Sequence, residues 1–207
     1  MKRACKIIYT QGDDYSIRPY KTNYLRMKYT LLIFSVILAL ISCNRLSQTE
    51  KELRKTIDKH LCYDLLETVR QGNTFLTLAD LKQQYDYLSV VYLQNGCRPC
   101  YPKFIEWHRQ LDSISLPNHY TVLFVIQGNK YEEFMSEVFN YEYVDSRYYT
   151  VMDPEGKFLE SNKDIPRWII ESSVLIDSEN KIKMVGAPWI NEDMTKLFYE
   201  IVSKGKS

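Results

Sequence analysis

Two cysteines spaced as Cys97-Arg98-Pro99-Cys100 stand between two segments of different periodicity, and their placement constrains the chain more than any other feature. Before them, Tyr87 to Leu93 is a run rich in β-branched and aromatic residues, the pattern of a buried strand. After them, Phe104, Ile105, Trp107, His108 and Leu111 recur at helical spacing. A CxxC pair where a strand hands over to a helix is the context in which two thiols do redox chemistry. The fold must therefore carry both thiols on the bend of a strand-turn-helix unit.

The same alternation continues downstream. His119 to Ile126 reads as a strand turned by Gln127-Gly128-Asn129, Tyr131 to Phe139 as a helix, and Tyr148 to Met152 as a strand closed by Asp153-Pro154-Glu155-Gly156. Ser173 to Ile176 and Ile182 to Val185 read as a hairpin around Asp177-Ser178-Glu179-Asn180, and Asn191 caps a last helix through Ile201. Upstream, Phe75 to Leu78 is a short apolar stretch followed by a helical turn, Ala79 to Lys82. Leu53, Ile57, Leu61, Leu65 and Val69 recur every four residues, which predicts an amphipathic helix bearing Cys62 and ending near Gln71-Gly72. The fold class is α/β: a mixed central sheet flanked by helices, with an extra helix at the N-terminal end.

Charge and glycine usage narrow the chemistry. With 27 Lys+Arg against 26 Asp+Glu and no basic run, nothing recommends nucleic acid as a partner. The seven glycines are too scattered to build a GxGxxG turn or a phosphate loop, so no nucleotide is expected.

The balance hides an asymmetry. Residues 1–43 carry seven Lys/Arg and two Asp/Glu, leaving 20 basic against 24 acidic side chains in 44–207. From Leu31 to Ile41 the chain is apolar apart from Ser35, but as a helix it rises only about 16 Å, short of a bilayer core of about 30 Å. With Arg26 and Lys28 before it and Ser42-Cys43 after it, this is the apolar region of a secretory signal. Leu40-Ile41-Ser42-Cys43 resembles a bacterial lipobox, whose cysteine is acylated and becomes the first mature residue. The expected organisation is an upstream extension over 1–26, with translation starting at Met27, and a lipoprotein signal peptide over 27–42. Residues 43–72 would hold the lipid attached at Cys43 and the amphipathic helix, and residues 73–207 the α/β domain. The mature chain is then anchored by lipid outside the cytoplasm, where disulfides are available.

Position assigns roles to the cysteine pair. At a helix N-terminus the unpaired N–H groups and the macrodipole favour an anion, and Arg98 adds a positive charge, so Cys97 is the nucleophilic thiol. Cys100, one turn further in, resolves the mixed disulfide. Pro99 fits early in the helix, and Pro102, past the free first turn, predicts a kink. A permanent structural disulfide and a zinc site are the bland alternatives; the second lacks two further ligands at workable spacing, and Tyr101 after Cys100 excludes covalent haem attachment. No cofactor and no metal are expected. Cys62 reads as a buried small hydrophobe, and Tyr101 and Trp107 as packing residues.

From about residue 73 to 203 the chain resembles the thioredoxin superfamily, particularly the exported, membrane-tethered TlpA/ResA-type reductases. The resemblance is carried by Phe75 to Lys82, Val90-Val91-Tyr92-Leu93, Cys97-Arg98-Pro99-Cys100, and Ser173-Val174-Leu175-Ile176-Asp177 with Lys181-Ile182. It implies a thioredoxin-like fold, reduction rather than oxidation, electrons from a membrane donor, and cysteine-containing exported proteins as partners in the bacterial cell envelope. Three positions depart from the family pattern. Gly96 stands where tryptophan precedes the first cysteine, and Ile105 where a helix proline lies, with Pro102 displaced. No proline occurs in Ile170-Glu171-Ser172-Ser173, before the strand where the family has a cis-proline facing the CxxC. The rival reading is a non-catalytic lipoprotein that keeps the fold for binding or scaffolding.

Overall fold

The strand that leads into the cysteine pair is central to a mixed sheet. The computed structural model describes residues 46–64, 66–145 and 147–204, with Tyr29 besides. In chain order the elements are α1 (Gln48–Thr56), β1 (Thr68–Gln71), β2 (Thr74–Thr77), α2 (Leu78–Gln84), β3 (Tyr87–Gln94), α3 (Cys100–Ser113) and β4 (Tyr120–Gln127). They continue with α4 (Tyr131–Phe139), β5 (Tyr149–Met152), α5 (Lys157–Ser161), α6 (Arg167–Ser172), β6 (Val174–Ile176), β7 (Ile182–Val185) and α7 (Glu192–Val202). Among the described residues the sheet has seven strands in the order β2-β1-β5-β4-β3-β6-β7. β3 runs parallel to β4 and antiparallel to β6, so its apolar run is buried on both faces.

Strand alternation splits the core in two. Val91 and Leu93 of β3 and Val122, Phe124 and Ile126 of β4 point toward α3, α4 and α7, where Phe104, Trp107, Phe134 and Phe198 pack. Val90 and Tyr92 of β3 and Leu123 and Val125 of β4 point the other way, toward α2, α5 and α6, meeting Leu81, Phe158 and Ile169. Each such buried side chain stabilises the fold by roughly 1.5–3 kcal/mol. Helix starts are fixed locally. Thr77 and Asp80 form a reciprocal capping box on α2, Asn191 Oδ1 accepts from Met194 N on α7, and buried Asp153 accepts from the Lys157 and Phe158 N–H groups at the start of α5.

The structure corrects the expected first helix. It ends at Thr56 rather than near Gly72, and Cys62 lies in the irregular segment that follows, half-buried with a free thiol. The backbone after α1 is taken up by the sheet: Asp58 N donates to Ile182 O at 2.8 Å, Ile182 N donates to Lys59 O at 2.9 Å, and Asp58 has φ 65°. Tertiary pairing overrides the spacing of four, and Leu61 and Val69 are buried by the sheet and not by a helical stripe. Residues 68–71 form a strand whose hairpin turns at Gly72, φ 57°, so the sheet begins upstream of the expected boundary at residue 73. The expected kink at Pro102 has no cause either. The helix starts at Cys100, so Pro102 falls in its first turn, where the missing N–H breaks no hydrogen bond.

Among the described residues no helix is long and apolar enough to cross a membrane. Cys43 and, apart from Tyr29, the signal region lie outside the described residues.

Candidate functional site

Cys97 and Cys100 are disulfide-bonded, with Cα atoms 5.4 Å apart, at the C-terminal end of β3. The turn between them is closed by Cys100 N donating to Cys97 O at 2.9 Å, and is tied to the strand by Cys97 N donating to Gln94 O at 3.3 Å. Pro99 is the residue before the helix, at φ −66°, and Arg98 is exposed beside it. Both cysteines are half-buried, and Cys100 Sγ accepts a hydrogen bond from Gln94 N at 3.4 Å. One sulfur is thus anchored to the strand while Cys97 lines an open cleft of about 520 Å³ with Gln94, Asn95, Gly96 and Gln127.

Gly96 explains itself through its backbone. It has φ 79°, a conformation in which tryptophan would be strained, although a Cβ there would meet nothing within 4 Å. Its N–H donates to Tyr101 Oη at 2.8 Å and to Asn95 Oδ1 at 3.1 Å, and Tyr101 Oη donates to Asn95 Oδ1 at 3.1 Å. The Tyr101 ring packs against Phe134 in the core. Tyr101 is therefore a packing residue that also holds the loop in front of Cys97.

Behind the disulfide lies a polar network. Gln94 and Gln127 are paired positions of β3 and β4, and Gln94 Nε2 donates to Gln127 Oε1 at 2.7 Å and to Tyr92 Oη at 2.9 Å. Tyr92 Oη in turn donates to Gln127 Oε1. Burial raises the Tyr92 phenol above its ordinary range, so it stays a neutral donor. On the α3 side, Lys103 Nζ donates to Glu171 O at 2.6 Å, and burial pushes its ammonium down to about 8. Ser173, next to β6 in the segment that lacks the expected proline, has φ 84° and ψ 154° and is 1% exposed. Its Oγ has no hydrogen-bond partner among the described residues.

The tryptophans lie apart from the cysteines in role. Trp107 packs edge-on against Trp189, and Trp168 Nε1 donates to Glu52 Oε2 at 2.9 Å, joining α6 to α1. His108 is buried, its Nδ1 on Phe104 O and its ring stacked on Phe124. Among the described residues no three His, Cys, Asp or Glu side chains are grouped to hold a metal ion. Sequence reasoning missed Gln94, Gln127 and Lys103. The two glutamines were legible only as polar ends of apolar runs, which is also how any strand terminates.

No protein-family model and no curated protein matches the chain. Solved structures do. A candidate thiol:disulfide interchange protein DsbE from Chlorobium tepidum is 16% identical, with 70% of this chain and 97% of that chain covered and a TM-score of 0.50. A candidate electron transfer protein from Aquifex aeolicus is 13% identical over 72% and 99% of the chains, with a TM-score of 0.49. A candidate protein disulfide isomerase from Bacteroides thetaiotaomicron is 19% identical over 72% and 91%, with a TM-score of 0.47. At 16% identity the first of these likenesses speaks to architecture alone, and with the strand order and the cysteine-bearing turn it establishes that this chain has the thioredoxin-like fold.

Proposed function

We propose that the chain is a thiol-disulfide oxidoreductase, anchored by lipid at Cys43 outside the cytoplasm, that reduces disulfides of exported proteins through Cys97 and Cys100. The observation that carries this reading is the Cys97–Cys100 disulfide at the strand-to-helix bend, with Cys97 on an open cleft and Cys100 held by the strand. In the reduced protein the Cys97 thiolate attacks one sulfur of a partner disulfide, forming a mixed disulfide and releasing one partner thiolate, which takes a proton from water. Cys100 then loses its proton to solvent and attacks Cys97 Sγ. The mixed disulfide breaks, the second partner thiol leaves, and the Cys97–Cys100 disulfide forms, two electrons having passed to the partner. An external dithiol donor restores the reduced pair. Arg98 and the helix N-terminus favour the Cys97 thiolate.

A second reading, a structural disulfide in a binding protein, is favoured by the absence of a proline from Ile170-Glu171-Ser172-Ser173, the segment before β6 where the family has its cis-proline. The glutathione redox equilibrium of residues 44–207 carrying Cys62→Ala, read by thiol alkylation, decides between them. A potential between about −120 and −270 mV is expected for an exchange protein, whereas a value below about −300 mV belongs to a structural disulfide.

A further inference from the structure

The cleft in front of Cys97 is lined by side-chain amides, and on each of the two glutamines among them one polar atom is unused. Gln127 Oε1 accepts from Gln94 and Tyr92, and Gln94 Nε2 donates to Gln127 and Tyr92. That leaves Gln127 Nε2 as a donor and Gln94 Oε1 as an acceptor, each without a hydrogen-bond partner among the described residues. Both glutamines are half-buried, so their orientation is set by the protein and not by solvent. Two restraints set it: the main-chain pairing of β3 with β4 and the hydrogen bonds that both amides make with the Tyr92 phenol. The pair sits at the carboxyl ends of two adjacent parallel strands, where open α/β sheets bind ligands.

A fixed donor and a fixed acceptor on adjacent strands match the C=O and N–H of an extended peptide. Resting on the redox reading above, we infer that Gln94 and Gln127 form a clamp for the backbone of the polypeptide segment flanking the partner's cysteine. The clamp holds substrate by side-chain amides, in a chain whose segment before β6 is occupied by α6 and Ser173. It also sets the substrate class: disulfides within polypeptide backbone, in preference to small disulfides without one. Side chains beside the cysteine are not selected by these atoms.

The test compares reduction rates for two substrates using the full chain with a dithiol donor: a disulfide-linked peptide dimer and hydroxyethyl disulfide, which has no amide. Gln127→Ala is expected to lower kcat/KM for the peptide about tenfold more than for the small disulfide, the size of one hydrogen bond. N-methylation of the peptide bonds flanking the cysteine is expected to lower the wild-type rate by a similar factor, and needs no variant to fold. Combined with Gln94→Ala, which removes the acceptor of the methylated N–H, it should cause little further loss. Equal losses on both substrates, which would mean that the glutamine acts only on the sulfurs, overturn the clamp, as does no loss on either. Failure of the wild-type chain to reduce either disulfide overturns the redox reading itself, and the clamp with it.

Discussion

Lys103 reaches from the first turn of the cysteine-bearing helix to the main-chain oxygen of Glu171, 2.6 Å from its Nζ. The contact joins α3 to the C-terminal turn of α6, where unpaired carbonyls favour a cation. Burial works against that charge and pushes the ammonium down to about 8 from its ordinary 10.5. Two elements that meet at the edge of the cysteine site are thus held by a partly desolvated charge.

Stability should follow that titration. Between about pH 8 and 10.5 the unfolded chain binds the Lys103 proton more tightly than the folded one, so this group makes stability rise with pH across that window. Below pH 8 the lysine is charged in both states and the penalty is fully present. Lys103→Met should flatten the rise. Urea midpoints at pH 7, 8, 9 and 9.5 for both proteins test this, and parallel curves would refute it.

How much of this arrangement could be read beforehand depends on whether local pattern or long-range pairing decides it. β3, β4, β5, α4, the β6-β7 hairpin and α7 stand within a residue or two of their expected limits, because each is an uninterrupted apolar or amphipathic run with its own turn or cap. The first helix failed for a tertiary reason: Asp58 and Lys59 pair with Ile182, more than a hundred residues away, and no local signal records that. The short α5 and α6 were invisible because five or six residues cannot display a helical period; Asp153 caps α5 from a segment legible only as a turn. The cysteine pair was readable from spacing alone. The amides facing it were not, since a polar residue ending a strand carries no mark of what it will face.

Ser173 is expected to be a strained position. Its φ of 84° with ψ of 154° belongs to a region that glycine enters freely, and its hydroxyl has no partner among the described residues. Such strain costs about 1–3 kcal/mol, partly offset on mutation by glycine's backbone entropy of about 0.5–1 kcal/mol. Ser173→Gly should therefore stabilise the protein by about 1 kcal/mol, seen as a higher urea midpoint with unchanged slope. A lower midpoint would show that the segment gains more from the serine than its backbone loses.

Asn162 fastens the irregular segment after α1 to the rest of the molecule. It is 2% exposed; its Oδ1 accepts from Cys62 N at 2.8 Å, and its Nδ2 donates to Cys62 O at 2.6 Å and Phe158 O at 2.7 Å. Asn162→Ala strands three main-chain groups, at about 1–3 kcal/mol for each that stays buried and unpaired. A loss of roughly 3 kcal/mol is expected, and with it faster alkylation of the half-buried Cys62 thiol under native conditions. Unchanged alkylation would mean that the segment is held without Asn162, by its main-chain pairing with Ile182 and the burial of Leu61 and Tyr63.

Gly128, in the β4-α4 turn, lies against Asn95 of the cysteine loop. A Cβ on residue 128 would lie 2.8 Å from Asn95 Cβ, nearer than real Cβ atoms come, so Gly128→Ala must displace one backbone or the other. Overpacking of this kind costs about 1–3 kcal/mol. Because Asn95 Oδ1 holds Gly96 N, the displacement should reach Cys97 and change its alkylation rate in the reduced protein. A double-mutant cycle separates the clash from other effects of the substitution. Asn95→Gly removes the opposing Cβ, so Gly128→Ala should be much less destabilising in that background than in wild type. If the two substitutions add independently, the clash does not occur, and the two turns have room that the Gly128–Asn95 contact denies them.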